Sequence, residues 1–296
     1  MNTAAMTSNT AIGGKDKQKL VRGILPLQLG TGGIEARSVL DVREYRKDDG
    51  NNAVKAKDKQ RRIIMGKDVI IACDFPSKEA TLQFLDQFTG KKPYVKIGME
   101  LFYSEGPAIV KEIKDRGHQI FLDLKLHDIP NTVEKAMAAL SQLDVDMCNL
   151  HAAGTKEMME AAIRGLTRAD GSRPLLIAVT QLTSTSQERM QQELLINEDL
   201  DKVVIKYAQN AKKAGLDGVV CSPLEAGKIH EACGSAFLTV TPGVRFADAA
   251  KDDQVRITTP EGAKNIGSDY IVVGRPITKA SDPVAAYERC LNEFIG

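Results

Sequence analysis

The chain has 296 residues, 43% of them hydrophobic, and a formal net charge of +1. That is enough apolar material for one sizeable core, and the balanced charge argues against a general nucleic-acid binder. No apolar run is long enough to span a membrane, and the N-terminus lacks a charged-then-apolar leader pattern.

Residues 1–64 carry 13 Lys+Arg against 7 Asp+Glu, which leaves 27 against 32 for residues 65–296. The charge changes sign at that boundary, so the two parts read as separate units. The first part shows no persistent apolar period. Its one apolar knot, Ile24 to Leu29, is interrupted by Pro26, and Gly30-Thr31-Gly32-Gly33 lacks the Lys-Ser/Thr ending of a phosphate loop. It reads as a poorly ordered, dispensable N-terminal extension, with Met65 as the physiological start and a basic tail that docks a partner as the rival reading.

From Met65 onward strand and helix signals alternate. Val69–Cys73 reads as a buried strand ending at Asp74, and Ser77 caps a helix running to Phe88. Tyr94–Gly98 is the second strand, followed by a helix over Pro107–Arg116. The third strand ends at Asp123–Lys125, and Pro130 opens a helix to Leu143. Met147–His151 is the fourth strand, with a helix over Lys156–Leu166. Leu175–Thr180 is the fifth, with its helix near Asp199–Ala214. Gly218–Cys221 is the sixth, and Pro223 starts a helix to Cys233. Ala236–Thr241 is the seventh, followed by a long loop and a short helix from Pro260. Tyr270–Gly274 is the eighth, and Asp282 caps the final helix with Pro283 at its first position.

Eight strand–helix units with near-continuous apolar strands predict a closed parallel (β/α)8 TIM barrel over residues 65–296. An open doubly wound sheet is the alternative. The barrel is favoured because every chemistry-bearing residue falls just after a strand, on the rim where barrels build their sites.

Asp123-Leu124-Lys125-Leu126-His127-Asp128 closes the third strand. Residues two apart share a face of a strand, so Asp123 and Lys125 point one way and Leu122, Leu124 and Leu126 the other. Such charges at the end of a buried strand are costly unless paired, as a structural ion pair or as a working site. Lys96 faces opposite to Val95 and Ile97, into the barrel, where a lysine is rare unless paired; Asp123 is its expected partner. Arg245 and Gln254 lie on the long seventh loop, 241–257. Gly274 lets backbone approach an anion and Arg275 supplies a forked donor, after strands seven and eight where barrels hold phosphate. Five cysteines, Cys73, Cys148, Cys221, Cys233 and Cys290, form no CxxC pair, and four scattered histidines form no zinc cluster. That usage points to a reducing cytosol.

Asp123-x-Lys125-x-x-Asp128 followed by Ile129-Pro130-x-Thr132 resembles the signature of the orotidine 5′-phosphate decarboxylase family. Four more blocks are similar to family segments and occur in family order: Val95–Phe102, Ala178–Ser184, Thr241–Arg245 and Val272–Arg275. The likeness runs from about Met65 to the C-terminus, and its details resemble the bacterial, Gram-positive-type branch. The resemblance implies conversion of OMP to UMP and CO2 in pyrimidine biosynthesis, in the cytoplasm, with no metal or organic cofactor. It implies Lys125 as proton donor, with Asp123, Lys96 and Asp128 completing a charged array. It further implies a homodimer in which Asp128 crosses to the neighbour's site, and no nucleic-acid or membrane partner. Asp74 would bind a ribose hydroxyl, Thr132 and Thr183 the nucleotide, and Arg245, Gln254, Gly274 and Arg275 the phosphate side. His127 is given no catalytic role and is expected to be a hydrogen-bonded structural histidine; the role of His151 stays open. A metal-dependent phosphosugar enzyme on the same barrel and a nonenzymatic nucleotide-binding module are the rival readings.

Overall fold

The computed structural model describes residues 67–248 and 258–296. The extension 1–64 and Gln254 lie outside the described residues. Eight strands form a closed barrel in which each pairs in parallel with the next and the last with the first. They are β1 Asp68–Ala72, β2 Tyr94–Gly98, β3 Ile120–Leu126, β4 Met147–His151, β5 Leu175–Val179, β6 Gly218–Val220, β7 Leu238–Pro242 and β8 Tyr270–Val273. The helices among the described residues, in chain order, are α1 Lys78–Leu85, α2 Met99–Glu105, α3 Ala108–Asp115, α4 Pro130–Leu140, α5 Thr155–Leu166, α6 Gln187–Gln192, α7 Leu200–Ala214, α8 Ala226–Cys233, α9 Pro260–Ile266, α10 Arg275–Thr278 and α11 Pro283–Phe294. The closed barrel, not the open sheet, is the observed fold.

Strand alternation divides the core in two. One set of side chains, including Ile71, Val95, Leu122, Leu150, Ala178 and Val273, faces outward against the helices. The other set, Ile70, Tyr94, Phe121, Met147, Ile177, Val240 and Tyr270 among it, fills the barrel's interior. A closed barrel with helices outside buries both faces of every strand, which is why the strands read as near-continuous apolar runs. Tyr94 and Tyr270 meet edge to face inside, with ring centroids 6.2 Å apart.

Local signals set the helix starts. The Ser77 side chain accepts from Ala80 N and the Asp282 side chain from Ala285 N, as the capping pattern predicts. Several expected helices end earlier: α1 stops at Leu85 rather than Phe88, and α4 at Leu140 rather than Leu143. The expected helix from Pro223 begins as a 3-10 turn over Pro223–Glu225, closed by a Ser222–Glu225 capping box, before α8. α4 and α5 pack so closely at Gly165 that an added Cβ would lie 2.0 Å from the Glu134 carbonyl oxygen. That backbone cannot yield cheaply, so the position accepts only glycine.

Candidate active site

The strand parity that fills the barrel with apolar residues ends on charged ones. Continuing Ile70 and Ala72 leads to Asp74; Tyr94 leads to Lys96; Phe121 leads to Asp123. These side chains form a connected row. Lys96 Nζ is 2.9 Å from Asp74 Oδ1 and 3.5 Å from Asp123 Oδ2. Lys125 Nζ donates to Asp123 Oδ1 at 2.7 Å. The spatial order is therefore Asp74–Lys96–Asp123–Lys125, with Lys96 beside Asp123 as expected from the sequence. Lys96 also reaches Asp74, a partner the strand argument did not supply.

The middle of the row is out of water. Lys96 and Asp123 are buried, Lys125 is half-buried and Asp74 is exposed. Burial favours the neutral form of Asp123, but the ammonium groups of Lys96 and Lys125 outweigh it and hold the carboxyl below its ordinary range. Burial likewise opposes the charge on Lys96, and the Asp123 and Asp74 carboxylates overcome it and raise the ammonium's pKa. Gly98, at the end of β2, leaves the room this row needs. A Cβ there would come within 2.9 Å of Asp74 Oδ1 and 3.1 Å of Lys96 Nζ.

Lys96, Asp123 and Lys125 line a cavity of about 280 Å³ together with Gln181, Thr183 and Ser184 from the loop after β5. That is close to the lower bound of ~300 Å³ typical of ligand pockets. Its floor is apolar, made by Phe121, Val179, Val220 and Val272. One end thus offers charge and the other a dry surface, an arrangement suited to a planar ring bearing an anionic group.

The other expected residues lie elsewhere. Asp128 is exposed, and its Oδ1 accepts from the N–H of Ile129 at 2.7 Å. Thr132 is exposed in the first turn of α4. Arg245 donates its backbone N–H to Thr258 O at 3.0 Å and an Nη1 hydrogen to Val244 O at 2.9 Å. Arg275, at the start of α10, is exposed and lines a separate depression beside α11 with Phe246, Asp248 and Arg289. Gly274 ends on the interior side of β8, where an added Cβ would make only an ordinary 3.5 Å contact with Ala72. Packing inside the protein does not require glycine there.

The expectation of a hydrogen-bonded histidine at position 127 is not met. His127 is exposed, and its ring packs against His151 with centroids 5.6 Å apart. It lies on the loop past the end of β3, and among the described residues its ring nitrogens have no hydrogen-bond partner. Burial, then the neighbouring His127 and Lys125, lowers the pKa of His151.

Asn149 was not foreseen. It is 1% exposed at the interior parity of β4, donates Nδ2 to Asp123 Oδ1 at 2.7 Å and accepts the Lys125 N–H at 2.8 Å. A polar residue inside an otherwise apolar strand was the available signal. All five cysteines are unpaired and buried, and burial pushes the Cys73 and Cys148 thiols up to about 12, which leaves no thiolate for chemistry. Among the described residues no group of three or more His, Cys, Asp or Glu could hold a metal ion. No helix there is long and apolar enough to cross a membrane.

The structure is a parallel eight-stranded barrel with an alternating carboxylate–ammonium row at the C-terminal ends of its first three strands, the architecture of a barrel enzyme. Comparison with known proteins gives the family. The model of the Orotidine 5′-phosphate decarboxylase / HUMPS family matches residues 67–290, and the chain belongs to that family. Curated relatives named orotidine 5′-phosphate decarboxylase include one from Bacillus cereus (strain AH820), 55% identical over 235 residues, and one from Bacillus cytotoxicus, 54% identical. Each alignment covers 78% of this chain and 99% of the relative. The crystal structure of orotidine 5′-phosphate decarboxylase from Lactobacillus acidophilus is 44% identical, with a TM-score of 0.70 over 78% of this chain and all of that one.

Proposed function

We infer that the chain decarboxylates orotidine 5′-phosphate to UMP and CO2 in de novo pyrimidine biosynthesis, with Lys125 as the proton donor to C6. The observation that carries this reading is the connected row Asp74–Lys96–Asp123–Lys125, of which Lys96, Asp123 and Lys125 line one interior cavity. The bond from C6 to the carboxylate breaks and CO2 leaves. The electron pair stays at C6, and a proton from Lys125 Nζ forms the new C–H bond. The ring offers no electron sink, so a fixed ammonium beside C6 stabilises the developing charge before it is neutralised. Asp123 sits beside the substrate carboxylate and repels it, while fixing both lysines. This chemistry calls for no metal or organic cofactor.

Around that centre, Asp74 binds a ribose hydroxyl, and Thr132 and Thr183 contact the nucleotide. Arg275, Arg245, Gly274 and Gln254 serve its phosphate. Asp128 acts in the neighbouring subunit of a homodimer. Its exposure supports this, as does the apolar Ile129 beside it, 66% exposed. The setting is the cytoplasm, which suits five unpaired thiols, and no nucleic acid or membrane takes part.

The family description also covers the second name HUMPS, and a metal-dependent phosphosugar enzyme on this barrel is the competing reading. Purified chain given OMP is expected to form UMP, followed by loss of substrate absorbance, with the rate unchanged by EDTA. No UMP, or activity abolished by the chelator and restored by Mg2+, refutes the decarboxylase reading. The shared site has its own test. Inactive Lys125→Ala and Asp128→Asn chains, mixed to form hybrid dimers, should regain activity because one site in each hybrid is intact. Absence of rescue with hybrids verified by mass would mean each site is built within one chain.

A further inference from the structure

The end of β3 leaves the regular ladder. Phe121 and Leu122 pair with Met147 and Cys148, and pairing resumes with Leu126 opposite Leu150. Asp123, Leu124 and Lys125 therefore face a single residue of β4, Asn149. Lys125 has φ 52, in the left-handed region that residues with a Cβ seldom adopt. The two extra residues keep strand parity, so Asp123 and Lys125 share the interior face while Leu122, Leu124 and Leu126 join the outer core. Bulges re-aim side chains and leave backbone groups without ladder partners.

Asn149 fills that gap with its side chain. Its Oδ1 accepts the Lys125 N–H at 2.8 Å, and its Nδ2 donates to Asp123 Oδ1 at 2.7 Å. The same carboxylate oxygen receives Lys125 Nζ at 2.7 Å. Lys125 is thus held at both ends, backbone and ammonium, in one closed ring of hydrogen bonds. Chemistry fixes the amide's orientation: a backbone N–H can only donate, and an ionised carboxylate can only accept. An aspartate at 149 could take the Lys125 N–H but has nothing to give Asp123. A leucine could do neither.

We propose that Asn149 is a positioning residue for the decarboxylation, locking the bulged Lys125 backbone to the Asp123 carboxylate so that the ammonium is aimed at the reacting carbon. The inference rests on Lys125 as the proton donor. Strain of the left-handed kind at a functional side chain persists only where neighbours over-determine it. Here Asn149 supplies that constraint.

The test compares Asn149→Asp and Asn149→Ala with Lys125→Ala, measuring kcat and KM for OMP and the pH dependence of kcat at saturating substrate. Asp123 is faced by Lys96 from β2, by Lys125 on its own strand and by Asn149 from β4, with His151 and His127 at the rim. Asn149→Asp preserves shape but sets a second carboxylate against Asp123. One of two such carboxylates holds a proton to higher pH, so the acid limb of kcat should move upward. Both variants should lose kcat by about 100-fold, the scale of a small misplacement of a reacting group, with KM changing far less. Asn149→Asp is close in size to the native residue, and UMP binding checks that its site is folded. Folded variants with kcat within about twofold of the parent and an unmoved acid limb overturn the proposal. So does a loss shared equally by kcat, KM and melting temperature with the limb unmoved, which marks a merely structural role. Lys125→Ala separates the two layers. If it retains turnover, the proton-donor reading fails; if it is inactive while both Asn149 variants are normal, only the Asn149 inference fails.

Discussion

The two ends of the barrel both carry aspartates, and their partners tell them apart. At the N-terminal end, Asp146, Asp217 and Asp269 each stand just before an even-numbered strand. Each bonds back to the preceding strand. Asp146 Oδ2 accepts from Ile120 N, Asp217 Oδ2 from Leu176 N and Asp269 Oδ2 from Thr239 N, all at 2.8 Å. Each also donates its own N–H to the carbonyl of that same residue. The result is one clamp used three times around the barrel, with Lys114, Arg173 and His230 as side-chain partners. At the C-terminal end, Asp74 and Asp123 take their side-chain bonds from lysines and an asparagine, and Asp123 lines a cavity. A carboxylate engaged by backbone is committed to architecture. One held by lysine ammonium groups at the wall of a cavity can act on a ligand.

Substitutions at the two ends should therefore fail in opposite ways. Lys125→Ala, at the cavity, should lower turnover by at least ~10²-fold, the usual scale of a lost proton donor, while the melting temperature stays near that of the parent. Near-normal turnover in a folded variant would remove Lys125 from the chemistry. Asp217→Ala, at the clamp, should do the reverse. It leaves the Leu176 N–H buried without its acceptor and takes from Arg173 its carboxylate partner. Removing one partner of a buried pair costs about 3 kcal/mol, or roughly 6–12 °C for a domain of this size. Its kcat/KM at 25 °C should match the parent. A loss of activity in the folded Asp217 variant would mean that the two ends are coupled and the division drawn above is wrong.

The sequence carried much of this plan. β2 and β4 occupy the predicted Tyr94–Gly98 and Met147–His151, because short apolar runs bounded by turn residues leave little choice. Lys96, Asp123 and Lys125 were visible as charges at positions that strand parity turns inward. The short helices α2, α6 and α10 were not foreseen. α2 opens on Gly98 with no side-chain cap, α10 has four residues, and α6, QERMQQ, buries only Met190. None has the apolar period that marks a helix. The bulge opposite Asn149 was hidden for a different reason. It is a mismatch between two strands, and neither strand's own pattern contains it. The three clamping aspartates are hidden for the same reason, since their partners lie on the preceding strands.

The smallest effect expected is a pH dependence confined to the clamp end. Asp269 raises the pKa of His230 through a hydrogen bond at 3.0 Å, against an opposing push from burial. A raised folded value means that this contribution to stability is fully present below the unfolded pKa of about 6.5, and is lost as pH rises through the folded value. The cavity end behaves otherwise. Asp123 is held below its ordinary range, so its contribution is present above about pH 3.9 and lost only as pH falls through the lower folded value. Lys96 is raised, so its contribution is present below about pH 10.4 and lost only at still higher pH. Between about pH 5.5 and 8.5, then, the His230 contribution changes and those of Asp123 and Lys96 do not. His118 and His151, whose pKa values burial lowers, push the raw curve the other way. The measurement must therefore be a difference, the stability of the parent minus that of His230→Gln across this range. That difference should shrink as pH rises, by about 0.5 kcal/mol, the scale of a partly exposed ion pair. The kcat/KM ratio of the two chains should stay constant throughout, because His230 and the cavity lie at opposite ends of the barrel. A flat stability difference would show that Asp269 clamps its strand without holding a proton on His230. A pH-dependent activity ratio would instead couple His230 to the cavity end.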